Sequence, residues 1–488
     1  MNVLLLSNNA PNYFYFFNHL VKLLHKDGAE ICVAVDSELS RDNNKIDALG
    51  FPIYEFSKFF RDHKTDPAIL ARYSKYNLNS TLLSDYERAQ VYRVWGKKDE
   101  GYFDRLKSAL LTFWENIFEE RKIDVVLYEN VSNTFSHLAW LVAEEKGKRY
   151  IGIGGSRIPG RFSISSDPLN DSRTFMFFSA INNKKIAVPA SVREWSETYL
   201  ANIENIVPDY MKINGLDNVK LVSRYVNFDK LKLVFRLFKH LKDDAYHSFQ
   251  AGNPVKTYIH LFERNLLRKI KTKRLKNYYD QSRTDENFLL YPMHFHPESS
   301  TSILASTYLD EYEVIRNIAF NLPEGMKLYV KDHISAWGYP SLDFYNKIKS
   351  LPNVRVLSPT EATKQLIKNS KGVITLTSTV GYEALLLGKK VFLYGEVFYS
   401  FHKSVVKITS PADLFNFFKD NLNKEVTPEK EYTLAFLASC YLATYPGSLN
   451  LMLQGDSAEK KAKEIYERVI KEVIFSNIDA VKNEKLWL

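Results

Sequence analysis

Cysteine is nearly absent from this chain of 488 residues: Cys32 and Cys440 are its two, each in an apolar stretch with no partner spacing. That argues against a disulfide framework and against a zinc ribbon, and buried free thiols in a reducing compartment are expected. No apolar run approaches the roughly 20 residues that a membrane span needs. The first residues, Met1-Asn-Val-Leu-Leu-Leu-Ser7, lack the length and the basic n-region of a secretory signal. They are expected to form a first β-strand, and the protein is expected to be cytoplasmic. Gly/Ser linkers, low-complexity tracts and internal repeats are missing as well.

Acidic residues are scarce in one place. Between Lys220 and Lys276 fifteen Lys/Arg face four acids, a net of +11 out of a whole-chain +9, which leaves −2 for all the rest. The basicity belongs to one segment, so a nucleic-acid-binding surface is not required. Within it, Leu231–Leu241 places Leu231, Val234, Phe235, Phe238 and Leu241 on one helical face flanked by Lys232, Arg236 and Lys239, and Leu266–Lys276 adds a second basic run. Such helices lie on anionic lipid, so residues 230–276 are read as a candidate contact with an anionic membrane surface. The alternative is a helix whose apolar face packs on its own domain and whose charges are merely solvated.

The length exceeds one ordinary core, and two strand–helix alternations are present. In the first, strands are expected at Val3–Leu6, Ile31–Val35, Phe51–Glu55, Ile123–Tyr128 and Tyr150–Ile153, with helices at Tyr13–His25, Gly101–Arg121 and Thr134–Glu145. In the second, strands at 288–291, 327–331, Val354–Leu357, Gly372–Leu376 and Lys390–Leu393 alternate with helices, and Phe436–Tyr445 and Ser457–Ser476 close the chain as helices. This order predicts an α/β protein with two doubly wound parallel sheets. The expected divisions are 1–167, a mainly helical basic segment over 168–284, a second sheet domain over 285–430, and helices over 431–488 packing back across the domains.

Three strand ends of the second half carry chemistry. Tyr291-Pro-Met-His-Phe-His-Pro-Glu-Ser-Ser-Thr301 sets His294, His296 and Glu298 in one turn; Lys331-Asp-His333 ends the next strand; Thr377-Ser-Thr-Val-Gly-Tyr-Glu383 turns into a helix. Ligands of open α/β sheets sit at this carboxyl edge. The helix start, with Ser378 and Thr379, suits a phosphate, or the two hydroxyls simply cap the helix. Glu383 is read either as a partner for a ribose or sugar hydroxyl or as a helix-dipole carboxylate. Lys331 offers a point charge and His333 a donor or general acid. His294 and His296 share a face, yet no defined ligand spacing follows them and Pro297 stops the strand, so no metal is expected. In the first half, Glu129 at a strand's carboxyl end suits a base or nucleophile, or a helix cap. Arg157 and Arg161 flank a Gly/Pro turn, either to clamp an acidic group or to pin the turn.

As a set, these motifs resemble the bacterial capsule polysaccharide biosynthesis family, which includes retaining β-Kdo transferases. Tyr128-Glu-Asn-Val and Gly155-Ser-Arg-Ile-Pro-Gly-Arg-Phe162 resemble its amino-terminal half. His296 departs from a family Gln, Ile334 from a proline and Ser378 from a glycine. The resemblance implies a GT-B fold, with two Rossmann-like domains facing a cleft. It implies a glycosyltransferase that moves a sugar, favoured as CMP-Kdo-like, from a nucleotide donor to a glycan or glycolipid acceptor, without a cofactor and without a metal. On that basis Glu129 and His333 are expected to be catalytic, with Glu129 or another amino-terminal carboxylate the nucleophile if configuration is retained. His294, Glu298, Lys331, Ser378, Thr379 and Glu383 are expected on the donor, and Arg157 and Arg161 on the acceptor or acidic sugar. A nucleotide-sugar epimerase or hydrolase on the same fold is the enzymatic alternative. A non-catalytic assembly factor at the membrane surface is the other. Location at the inner face of the cytoplasmic membrane follows from the peripheral reading.

Overall fold

The structure is a computed structural model that describes residues 1–10, 12–91, 99–207, 238, 240–242, 246–250, 252–295, 299–424 and 428–476. The chain divides into two compact units: 1–168 with 218–262 and 444–488, and 169–217 with 263–443. The stretch 168–284, expected as one segment, is therefore shared between them. So are the last residues, because 431–443 belong to the second unit and 444–488 to the first.

In the first unit, β1 (Asn2–Ser7), β2 (Glu30–Val35), β3 (Ile53–Glu55), β4 (Val125–Glu129) and β5 (Arg149–Gly155) are parallel. Runs such as Val3-Leu-Leu-Leu6 and Val125-Val-Leu-Tyr128 are buried throughout, as strands covered on both faces require. β6 (Arg161–Ser165) then folds back antiparallel on β5. Sequence patterning had offered only a Gly/Pro turn there.

The second sheet comprises β7 (Asn287–Pro292), β8 (Met326–Lys331), β9 (Val354–Leu357), β10 (Gly372–Thr375), β11 (Val391–Leu393) and β12 (Val405–Lys407), and every pairing in it is parallel. Finally β13 (Tyr445–Pro446) joins β6 antiparallel in the first sheet. The helix expected to reach Tyr445 stops at Leu442, and the chain is extended where it pairs. Near the carboxyl terminus, the helix Gly455–Ile465 and its continuation close on the helix Tyr13–Lys26 of the same unit, where Asp27 accepts from the Tyr466 hydroxyl at 2.6 Å and pairs with Lys471 at 2.8 Å.

The strand orders are β13-β6-β5-β4-β1-β2-β3 and β12-β11-β10-β7-β8-β9. Each sheet starts in its middle, winds to one side, and then crosses to the other. The crossing leaves a topological switch point, between β1 and β4 in the first unit and between β7 and β10 in the second, where the loops leave in opposite directions and open a crevice. Among the described residues, no helix is long and apolar enough to cross a membrane.

Candidate active site

At the second switch point His294 follows β7 and is almost wholly buried. Its backbone N–H donates to Glu311 Oε1 at 2.7 Å, and its ring Nδ1 lies 3.4 Å from the same oxygen. On the other side Nε2 meets Thr375 Oγ1 at 3.2 Å and the backbone N–H of Thr377 at 3.4 Å. A backbone N–H can only donate, so Nε2 accepts and the ring proton belongs on Nδ1, facing the carboxylate. Thr375 Oγ1 in turn accepts from the Ser378 N–H at 3.1 Å. The imidazole is thus a crosspiece between the ends of β7 and β10. Both of its ring nitrogens are engaged by the fold. Glu311, the buried first residue of the helix Glu311–Phe320, was missed. In sequence it looks like an ordinary helix-start acid.

The crosspiece holds the turn into the helix Thr379–Leu386. Ser378 is its N-cap, with Oγ accepting from the Val380 N–H at 3.1 Å, so its hydroxyl does the capping that had been the alternative to phosphate binding. The Tyr399 hydroxyl donates to the Ser378 carbonyl at 2.6 Å. Any side chain at Gly381 would collide with that phenol. The hydroxyl of Thr377, by contrast, is buried with no partner among the described residues. Its methyl packs on Gly395, a position with no room for a Cβ. A buried orphan hydroxyl at the amino end of a helix is an unmet hydrogen-bonding group beside a partial positive charge.

β8 delivers Lys331, Asp332 and His333. Lys331 Nζ is buried and donates to the Pro359 carbonyl at 2.9 Å. Burial pulls its pKa down to about 8, against the opposing pull of Asp332, Glu361 and Glu383. Asp332 accepts from the hydroxyls of Tyr279 at 2.6 Å and Tyr345 at 2.7 Å, and burial still pushes its pKa up. His333 is half-buried, and its Nδ1 accepts from the Ser335 N–H at 3.2 Å. The neutral ring therefore carries its proton on Nε2, the form in which it can donate. Glu383 has its carboxyl pKa raised by burial, with Lys364 and Lys331 opposing. Lys364 lies 4.0 Å from Glu383 and also donates to the carbonyls of Ile203 and Ile206, both at 2.6 Å. Lys364 had no sequence signal, because the carbonyls it meets lie about 160 residues away in the chain.

His296 and Glu298 lie outside the described residues. Among the described residues, no three His, Cys, Asp or Glu side chains are grouped as a metal site would need.

In the first unit Glu129 ends β4, half-buried, and accepts from the Ser132 hydroxyl at 3.1 Å. Burial and the Glu129 charge together push the phenols of Tyr13, Tyr128 and Tyr150 upward. Asn130 lies over Gly152 and Gly154 of β5, and a Cβ at Gly154 would run into its amide. The cap of the helix Thr134–Glu145 is Asn133, not Glu129, with Asp85 adding an acceptor for the Thr134 N–H at 2.7 Å. Across the switch point the Tyr128 hydroxyl donates to Asn8 Oδ1 at 2.7 Å. Arg161 is buried and donates to Thr444 Oγ1 at 2.9 Å and to the Thr444 carbonyl at 2.6 Å, beside the β6–β13 pairing. These bonds pin the chain, the alternative that the sequence offered beside an anion clamp. Arg157 is only half-buried.

Residues 220–424 match the family model described as capsule polysaccharide biosynthesis protein. No curated protein matches the chain. Among solved structures, the chain is similar to two KpsC structures from Thermosulfurimonas dismutans. The β-Kdo 2,7-transferase is 13% identical over 73% of this chain and 89% of that one, with a TM-score of 0.32. The β-Kdo 2,4-transferase is 14% identical over 68% and 87%, with a TM-score of 0.37. The UDP-GlcNAc 2-epimerase of Methanocaldococcus jannaschii is 12% identical over 96% of this chain and 100% of that one, with a TM-score of 0.24. The residues similar to the capsule polysaccharide biosynthesis family contain the ends of β7, β8 and β10, and with them the second switch point.

Proposed function

We propose that this protein is a glycosyltransferase of bacterial surface-polysaccharide synthesis. It transfers a sugar, of the CMP-Kdo type, from a nucleotide donor to a glycan or glycolipid acceptor presented at the cytoplasmic face of the membrane. The observation that carries the reading is the second switch point. There a buried hydroxyl without a partner, Thr377, stands at the amino end of a helix whose turn is held by His294. A phosphate oxygen would satisfy that hydroxyl and gain the dipole of the helix.

In this reading Thr377, Thr379 and the helix amino end bind the donor phosphate. Lys331, mostly protonated below pH 8, supplies positive charge to the departing phosphate. His333, with its proton on Nε2, donates to the leaving oxygen. The charge on the leaving group is then met by side chains and backbone, with no metal needed. Glu383 receives a hydroxyl of the nucleotide sugar, and Lys364 steadies it. Glu298 stays assigned to the donor. Glu129 is the catalytic carboxylate on the acceptor side, the nucleophile if configuration is retained. Arg157 takes the acidic group of the sugar.

Incubation of the protein with CMP-, UDP- and GDP-sugars, with and without acceptor glycolipid, tests this reading. Nucleotide release that requires acceptor, greatest with a CMP donor, is expected. Release from every donor without acceptor would replace transfer by hydrolysis or epimerisation, and no release from any donor would overturn the enzyme.

A further inference from the structure

The helix Pro254–Leu275 turns its polarity inside out. On one side Arg268 donates from Nε to the Trp337 carbonyl at 2.6 Å and from Nη2 to the Ser335 carbonyl at 3.1 Å. Lys271 donates to the carbonyls of Tyr339 and Pro340, both at 3.2 Å. Arg264 and Arg268 also stack on the Tyr339 ring, 3.9 and 4.1 Å from its centre. Cations thus hold the helix to the loop after β8. Between the buried ends Val255 and Leu275, five large apolar residues point outward: Ile259, Phe262, Leu266, Leu267 and Ile270 are between 48% and 61% exposed. At 3.6 residues per turn, Ile259, Phe262, Leu266 and Ile270 form one stripe down the solvent face. For Leu266–Lys276 this reverses the alternative reading, in which the apolar face would pack inward and the charges would be solvated; residues 231–237 and 239 of the other run lie outside the described residues.

An isolated exposed leucine is ordinary, but a contiguous stripe of large apolar side chains marks an interaction surface. Lys256, Lys269, Lys273 and Arg274 are exposed along its borders, with Glu263 as the acid among them. A second copy of this chain would bring these cations against their like across a self-complementary contact. A surface that is apolar in depth and anionic at its rim matches the pattern instead, and a bilayer containing anionic lipid has that structure.

We infer that the outward stripe Ile259–Phe262–Leu266–Ile270 seats on anionic membrane, with Phe262 in the acyl boundary and Lys269, Lys273 and Arg274 at the headgroups. Arg264, Arg268 and Lys271, counted earlier with the basic run, serve the fold and not the lipid. The inference rests on the peripheral part of the function proposed above and not on its transfer chemistry, so vesicle binding and nucleotide release can fail separately.

The test is sedimentation of the full chain with phosphatidylcholine vesicles, with and without about one third phosphatidylglycerol. Binding to the anionic vesicles alone, weakened by salt, is expected. Lys269→Glu, Lys273→Glu and Arg274→Glu together should weaken it about a hundredfold, and Phe262→Ser with Leu266→Ser about tenfold. All five positions are exposed, so the melting temperature should hold. Phe262→Cys carrying an environment-sensitive dye should shift to the blue with anionic vesicles, while Cys32 and Cys440 are buried and stay unlabelled. The proposal is overturned if the chain ignores anionic vesicles at low salt, or binds neutral ones equally well. It is also overturned if the serine variants bind unchanged, or if the stripe instead drives dimerisation without lipid.

Discussion

Across the β1/β4 junction of the first sheet a phenol, Tyr128, donates to an amide, Asn8; across the β7/β10 junction of the second an imidazole, His294, meets a hydroxyl, Thr375. The strand orders that make the two junctions are the same, so topology supplies the place and not the chemistry. In the first unit the hydrogen-bonded pair at the junction is neutral, and two carboxylates stand near it: Glu129, half-buried among tyrosines, and Asp36, fully buried with its pKa raised by burial. In the second, a lysine depressed by burial, carboxylates raised by burial and a helix amino end are gathered together. Groups held away from their ordinary titration mark a site built for charge.

That contrast can be broken most severely at Glu129. Glu129→Gln should lower turnover about a thousandfold, while nucleotide binding, measured by calorimetry, stays at the parent value. Equal loss of both would erase the division of labour between the units.

Lys331→Met should weaken nucleotide binding about a hundredfold and remove its pH dependence. In the parent protein burial has lowered the lysine pKa to about 8. The charged form is therefore lost, and nucleotide affinity falls, as pH rises through that value. The sign for folding is opposite. The fold prefers the neutral amine relative to an unfolded lysine, so this group favours the folded state more as pH climbs from about 8 toward the ordinary lysine range. Affinity that is flat through pH 8 would remove Lys331 from the phosphate.

Thr375→Val takes one partner from His294 and the acceptor from the Ser378 N–H, a loss of about 1–3 kcal/mol in thermal unfolding, with weaker nucleotide binding. The matching change in the first unit, Tyr128→Phe, should cost only about 1 kcal/mol and leave nucleotide binding untouched. If the two changes prove interchangeable, the second crosspiece has no special tie to a ligand.

Much of this was legible before any coordinates. Buried parallel strands read as continuous apolar runs, which is why β1, β2, β4, β7, β8 and β10 were found close to their observed limits. Strand ends with polar residues pointed to the carboxyl edge. What stayed hidden depended on contacts far apart in sequence. β13 has two residues and forms only because β6 offers an edge. Lys364 counts only through partners that the fold brings to it. The exposed stripe on Pro254–Leu275 has a periodicity visible in the letters, but a period does not say which face turns inward.

The order of the amino acids determined by itself that there are two alternating α/β halves, which strand ends carry polar and titratable residues, and which family they resemble. These follow from local propensity, periodicity and short motifs, all carried by neighbours in the chain. Tertiary structure alone decided the rest. It made His294 a buried crosspiece, left the Thr377 hydroxyl without a partner at the helix amino end, set Arg161 as a pin, and turned Leu266 and Leu267 of the basic helix outward. Burial and hydrogen-bond satisfaction depend on what the rest of the chain brings alongside, and that exists only once the chain is folded.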